Sequence, residues 1–368
     1  MTCDAFGACG SCRLHPGDYE GQLQEKIAAY RKLFEGIETP TFTIVRSPES
    51  GYRARAEFGI WHEGEWLFYA MRTLEGKGYL PIAACPIVDI AIAKVMEPLR
   101  FWLQKTPQLR YKLFGIEFLS ASTGELLVTL LYHRALDDGW REAAQAMADH
   151  FGFSLVGRSR GQKIVIGKDY IIDEIVAADR RWRYRIYEGS FSQPNRSLNA
   201  AMISWAMEVI PQGKVVTELY CGGGNFTIPL ATKSQFILAT EISKSSIAAA
   251  KENMKLNDVE NILFARLSAE EFTQALHGVR RFTRLGGADL SHHPRELIVV
   301  DPPRAGLDEA TRSLAASFET ILYISCSPES LRRDLEALLN THRPSQWALF
   351  DQFPYTNHIE SGVMLVRR

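Results

Sequence analysis

The sequence predicts an α/β protein in two parts, a β-rich α+β domain over residues 1–187 and a doubly wound, mostly parallel domain over residues 188–368. Three observations carry that prediction. Between residues 43 and 134 short apolar runs are joined by turn-like polar stretches, the texture of a β-rich domain. After about residue 185 apolar strands alternate with helical segments, which implies a parallel sheet covered on both faces. The chain has 368 residues, 46% of them hydrophobic and 23% charged, which is ordinary globular composition in a length comfortable for two domains.

In the first part, residues 19–34 form an amphipathic helix, with Leu23, Ile27, Tyr30 and Leu33 or Phe34 on one face. Strands are expected over 55–61 and 66–71, flanking the turn His62-Glu63-Gly64-Glu65, and again over 126–132. Residues 138–151 read as a helix through Trp140, Ala143, Ala144 and Met147, and strands follow at 155–158 and 163–166. "RRWRYRIY", residues 180–187, alternates: Arg181, Arg183 and Arg185 share one face, Trp182, Tyr184 and Ile186 the other. The apolar face belongs in a core. The arginines, with Arg46, Arg53, Arg55, Arg158, Arg160 and Lys163, form a candidate phosphate-binding patch.

In the second part, apolar strands fall at 215–220, 236–242, 262–265, 297–301 and 321–325, and helical segments, including 243–256 and 309–317, separate most of them. The boundary between the parts lies within 180–195. In such a sheet, ligands sit at the carboxyl ends of the strands. "VVTELYCGGGNFTIPLA" runs from a strand through Gly222-Gly223-Gly224 into a helix starting near Thr227, and glycine lets backbone approach a ligand closely. Taken alone this is a tight turn as readily as a binding loop. The next strand ends in "ATEIS", placing Glu241 about twenty residues on, where an acid commonly holds ribose hydroxyls. Thr227 stands where a dinucleotide loop has its third glycine, which disfavours a nicotinamide oxidoreductase and suits S-adenosylmethionine better. "LIVVDPPRAGL" puts Asp301 and a rigid Pro302-Pro303 at a third strand end. Asp301 by itself could equally be a cap or turn residue, but three decorated strand ends together make a binding site.

"YISCSPESL" ends the next strand in a thiol. Cys326 is followed by Ser327 as N-cap and Pro328 as first helical residue, and the positive end of that helix is expected to favour thiolate over thiol. A buried inert cysteine is the commoner fate of a lone thiol, yet this one stands beside Asp301 at the sheet's ligand edge. A methyltransferase needs a thiolate when its target is carbon 5 of a pyrimidine. Addition at carbon 6 makes carbon 5 nucleophilic, and a base must then remove the carbon-5 proton. Glu360 in "FPYTNHIESGVMLV" is the candidate base, with His358 its competitor.

Charge and cysteine content narrow the setting. Net charge is −1 and the pI near 6.8, so any nucleic acid must be held by a local basic patch. No apolar run approaches a membrane span and residues 1–4 resemble no secretory or transit signal, so a cytoplasmic, membrane-free protein is expected; a monomer is expected separately. Of six cysteines, Cys3, Cys9 and Cys12 are spaced C-x5-C-x2-C, and Cys85 in "AACPIVD" is a plausible fourth thiolate. Four thiolates suit a [4Fe–4S] cluster, or less well zinc, in a structural or sensory role.

"SFSQPN", "ELYCGGGNF", "ATEIS", "DPPRAGL", "YISCSPESL" and "HIESGV" together resemble the uracil-C5 RNA methyltransferases. "SAEEFTQALHGVRRFTRLGG", "LYHRALDDGW" and "LFDQFPYTNHIE" narrow the resemblance to the tRNA (uracil-5-)-methyltransferase branch, over nearly the whole chain from about Tyr19. The resemblance implies a Rossmann-like S-adenosylmethionine-dependent domain, an RNA-binding N-terminal domain, and 5-methyluridine formed at position 54 in the T-arm of tRNA. It implies Cys326 as nucleophile, Glu360 as base, and Gln193, Tyr220, Asn225, Glu241 and Asp301 around cofactor and uracil. Phe191, beside Gln193, is a candidate for stacking on an exposed base, since such a base must be flipped out of its stack. The cysteine spacing is similar instead to that of cluster-bearing ribosomal-RNA uracil methyltransferases, so rRNA is the alternative substrate. A non-catalytic, RNA-binding redox sensor is the rival of another class.

Overall fold

A computed structural model describes residues 3–15, 17–280, 282–285, 290 and 292–368. Residues 1 and 2 of the chain start and residues 281, 286 and 287 of the 268–287 motif lie outside the described residues. The first part runs α1 (Tyr19–Leu33), β1 (Thr43–Val45), β2 (Arg55–Glu63), β3 (Trp66–Arg72), β4 (Tyr79–Ile82), α2 (Ile90–Lys105), α3 (Pro107–Arg110), β5 (Leu113–Ser120), β6 (Leu126–Tyr132), α4 (Asp138–Phe151), β7 (Ser154–Ser159), β8 (Gln162–Ile166), β9 (Tyr170–Ala177) and β10 (Arg180–Tyr187). The second runs α5 (Arg196–Val209), β11 (Val215–Leu219), α6 (Thr227–Ala231), β12 (Phe236–Thr240), α7 (Lys244–Leu256), β13 (Ile262–Ala265) and α8 (Ala269–Leu276). It finishes with β14 (Leu297–Val300), α9 (Glu309–Ala315), β15 (Thr320–Ser325), α10 (Pro328–Leu338), β16 (His342–Phe350) and β17 (Glu360–Arg367).

Seven strands of the first part form a sheet in the order β4-β3-β2-β5-β6-β7-β8, antiparallel except for β6–β7. Its alternation is the reason: in β2 Ala56, Phe58 and Ile60 point into a core shared with Leu99 of α2 and Trp140 of α4, while Glu57 and Trp61 face out. Beside it β9 and β10 pair as an antiparallel ribbon. Trp182 and Tyr184 of that ribbon are buried, as the alternation requires.

The second sheet has the order β1-β16-β17-β15-β14-β11-β12-β13. Strands β11 to β15 are parallel, and β14 (Leu-Ile-Val-Val) is buried at every residue, as a strand covered on both faces must be. β17 is antiparallel to both β15 and β16. Helix starts follow from local polar residues: Asn195 caps α5, Ser243 caps α7 and Ser268 with Glu271 closes a capping box on α8.

Two early elements lie across the expected division at 187/188. β1 pairs in parallel with β16, and α1 packs Leu23, Ile27 and Tyr30 into the core that contains Trp347, Leu349 and Tyr355. A fully buried ion pair, Lys26 Nζ to Asp351 Oδ1 at 2.6 Å, fixes α1 to the segment after β16, and Gln22 Nε2 donates to the other carboxylate oxygen at 2.8 Å. That segment leads directly to Glu360. No helix among the described residues is long and apolar enough to cross a membrane.

Candidate active site

A cavity of about 640 Å³ opens at the carboxyl ends of β11, β12, β14 and β15, a volume in the range of small-molecule sites. All seven residues expected around the cofactor and the reacting base line it: Gln193, Tyr220, Asn225, Glu241, Asp301, Cys326 and Glu360. The sheet therefore gathers side chains spread over nearly 170 positions of sequence into one hollow.

One end of the hollow is built by the glycine loop. Tyr220 takes a left-handed conformation (φ 62°), rare for a non-glycine residue, and Gly222 and Gly224 follow at 52° and 86°. Glu241 Oε2 accepts the Gly222 N–H at 3.2 Å and its Oε1 the Ser243 N–H at 2.8 Å, which fixes the carboxylate while each oxygen keeps a free lone pair. Asn225 and Asn199 form a reciprocal amide pair at 2.9 and 2.8 Å, so the Asn225 side chain is held by Asn199 as well as facing the cavity. Glu218 also lines this end, and sequence reasoning missed it. Its Oε2 is buried without a hydrogen-bond partner, and burial pushes its carboxyl up to about 8. The signal was legible: a charged residue inside the apolar run "VVTEL". A buried carboxyl left open, a fixed acid and a glycine cradle make a donor and acceptor set that fits S-adenosylmethionine.

The other end gathers a thiol and several titratable groups. Cys326 directly follows β15, and Ser327 Oγ caps α10 by accepting the Ser330 N–H, with Pro328 at the first turn, as expected. The thiol itself is shifted opposite to expectation. Burial pushes Cys326 up, and the charges of Glu360 and Asp301 add to it against the opposing guanidinium of Arg304. Two carboxyls and desolvation outweigh the helix terminus. Glu360, the first residue of β17, is paired with Phe350 of β16 and is 5% exposed. Burial chiefly, then the charge of Asp301, raises it to about 8, with Arg304 opposing. Burial raises Asp301 to about 7. His358 lines the same cavity, and burial holds its imidazole below the ordinary value. Arg304 was quoted within "DPPRAGL" but its place beside Cys326 and Glu360 was not foreseen. Phe191, 80% exposed, stands on the loop before Gln193 and also lines the cavity.

The candidate phosphate patch is partly neutralised by acids. Arg181 and Arg183 both bind Glu174 (2.7 and 2.9 Å), Arg185 binds Glu252 (2.9 Å), and Arg158 makes a two-pronged pair with Glu188. Arg46 binds Glu20, Arg55 lies beside Glu57, and Lys163 binds Asp169. These groups are not standing as free cations; an RNA phosphate would have to exchange with carboxylates.

The N-terminal cysteines lie away from the cavity lining. The segment from Cys3 docks on the first sheet through Gly10 N–H to Arg72 O (2.9 Å), and on the second part through Arg13 and Leu14 N–H to Tyr355 O (2.7 and 3.0 Å). Burial raises Cys12 to about 12 and Cys85 to about 11, and the nearby thiols Cys3 and Cys9 add to both shifts. Among the described residues, however, no three His, Cys, Asp or Glu side chains are arranged to hold one metal ion. The four thiols share a neighbourhood without converging on a common centre, so the expected [4Fe–4S] or zinc site gains no support from this geometry.

Comparison with known proteins closes the question of family. A tRNA/tmRNA (uracil-C(5))-methyltransferase of Sulfurimonas denitrificans is 47% identical over 370 residues, covering 100% of both chains. One from Nitratiruptor sp. is 49% identical over 369 residues, again with 100% of both covered. The solved structure of Pyrococcus abyssi tRNA (uracil-54, C5)-methyltransferase in complex with S-adenosyl-L-homocysteine matches with a TM-score of 0.72 at 22% identity, over 95% of this chain and 84% of that one. That likeness is one of fold. The family model described as tRNA (Uracil-5-)-methyltransferase matches residues 18–368, and with relatives this similar along its whole length the chain belongs to that family.

Proposed function

We propose that this chain transfers a methyl group from S-adenosylmethionine to carbon 5 of a uridine in tRNA, at position 54 of the T-arm, through a covalent bond from Cys326 to carbon 6. The observation that carries the proposal is that Cys326 and Glu360 share one hollow with a glycine loop and Glu241. Bound S-adenosylmethionine supplies an electrophilic methyl group. Gly222, Glu241 and Glu218 would hold it at the end of β11 and β12, leaving the Cys326 end for a flipped base.

Cys326 gives its proton to solvent as its sulfur bonds to carbon 6. Carbon 5, now nucleophilic, would take the methyl group as its bond to the cofactor's sulfonium sulfur breaks and that sulfur keeps the electron pair. Burial chiefly, then the charges of Glu360 and Asp301, holds the thiol up, so a proton on either carboxyl removes part of what opposes the thiolate. Glu360, once ionised, takes the carbon-5 proton, and the sulfur leaves to restore the double bond. Turnover therefore rises as pH climbs toward about 8, where Glu360 ionises.

The test is RNA carrying 5-fluorouridine, whose fluorine cannot leave as a proton does. Purified protein with the cofactor should form an adduct with fluorinated tRNA that survives denaturation, and Cys326→Ala should form none. An unreacted wild type refutes the proposal, and adduct with rRNA but not tRNA moves the substrate to the alternative. The N-terminal thiols are read as ligands of a [4Fe–4S] cluster, structural or sensory, on their spacing alone. Anaerobically purified protein then carries about four irons per chain, and colourless or zinc-bearing protein rejects the cluster.

A further inference from the structure

Gln352 is not among the residues lining the cavity, and no role was assigned to it within "LFDQFPYTNHIE". It follows β16 directly and is fully buried. Its Nε2–H donates to Gln193 Oε1 at 2.7 Å, whereas its own Oε1 has no partner. Its main chain is tied on both sides: the Gln352 N–H donates to Phe350 O (2.9 Å), and Gln352 O accepts from the side chain of Asn195 (3.4 Å). Asn195 stands two residues beyond Gln193 and caps α5. The neighbouring Asp351 is anchored by Lys26 and Gln22. The segment that carries Gln193 and the segment that leads to Glu360 are thus braced against one another.

A carboxamide has one accepting end and one donating end. With its oxygen turned to Gln352, Gln193 has its NH2 group left for the cavity it lines. Gln193 belongs to the reacting end of that cavity, since its partner opens the segment holding Phe353 and His358 and ending at Glu360, all three of them lining residues. A donor there matches a ring carbonyl. It opposes an exocyclic amine, the group that distinguishes cytosine from uracil at carbon 4.

We propose that Gln352 is a positioning residue: it holds the Gln193 carboxamide with its NH2 toward the cavity, so that the site accepts a pyrimidine carbonyl and rejects an amine. The proposal deepens the methyl-transfer reading and rests on it.

Two substitutions reverse the cavity-facing group by different routes. In Gln352→Glu the ionised carboxylate only accepts, so the Gln193 amide turns over to donate to it and points its oxygen inward. In Gln193→Glu one carboxylate oxygen accepts from Gln352 and the other faces the cavity. Each should lower kcat/KM on uridine RNA on the order of tenfold to a hundredfold, the usual effect of a mismatched buried polar pair. The deciding readout is the ratio of covalent capture of 5-fluorocytidine to 5-fluorouridine RNA, which is independent of the fraction of protein folded. At alkaline pH, where the introduced carboxyl is ionised, both variants should shift that ratio toward cytidine. Gln352→Leu, which frees the amide to rotate, should lose activity with a smaller shift. A wild-type ratio in both Glu variants overturns the proposal while leaving the methyl-transfer reading intact. A wild-type protein that captures neither RNA overturns both.

Discussion

Replacing Glu360 by Gln separates its chemical role from its electrostatic burden. The change keeps shape and removes the ionisable proton. Burial raises this carboxyl from 4.5 to about 8. Between those values the folded protein keeps a proton that the unfolded chain has lost, so stability falls as pH rises through that window. At 1.36 kcal/mol per unit, the burden is absent below pH ~4.5, about 2 kcal/mol near pH 6, and about 5 kcal/mol above pH ~8, as an order-of-magnitude ceiling. Glutamine carries none of it. Glu360→Gln should therefore gain stability over wild type by an amount that grows with pH, measured by urea denaturation at two pH values either side of the window. The same variant lacks the proposed base. With unmodified tRNA and cofactor it should accumulate a methylated covalent complex, visible on a denaturing gel. Parallel stability curves at both pH values would refute the electrostatic reasoning. Normal turnover would refute the assignment of the base and pass that role to His358, which shares the cavity.

Lys26→Met breaks the fully buried pair with Asp351 and leaves a carboxylate without its cation, which should cost about 3–5 kcal/mol and appear as a lowered unfolding midpoint in urea. Because Lys26 also donates to Phe353 O at 2.8 Å, turnover should fall more than cofactor affinity. Phe191→Ala should leave the midpoint unchanged, since the ring is 80% exposed. If the ring stacks on RNA, KM for tRNA should rise on the order of tenfold, the scale of one lost base–aromatic stack; an unchanged KM removes that role.

Much of the site was legible because its residues sit at strand ends, where local pattern and position coincide. An apolar run stopping at a glycine loop, an acid, Asp-Pro-Pro or Cys-Ser-Pro marks both the end of a buried strand and the edge where a parallel sheet binds ligands. Glu218 was missed because it lies within its strand, where the pattern says core. The Cys326 thiol was assigned the wrong direction because its helix cap is local in sequence, while the burial that chiefly raises it comes from the tertiary fold and Glu360 and Asp301 reach it from 34 and 25 residues away.

The sequence by itself determined the two textures and the strand ends whose side chains meet in the cavity, since periodicity and cap chemistry act over a few residues. Tertiary structure alone decided that β1 and α1 cross into the second part, that Lys26 grips the segment before Glu360, and that arginines at 181, 183 and 185 face carboxylates. Lys26 and Asp351, for example, stand 325 positions apart. Such pairings depend on which surfaces meet and exclude water, a property that no short stretch of chain contains.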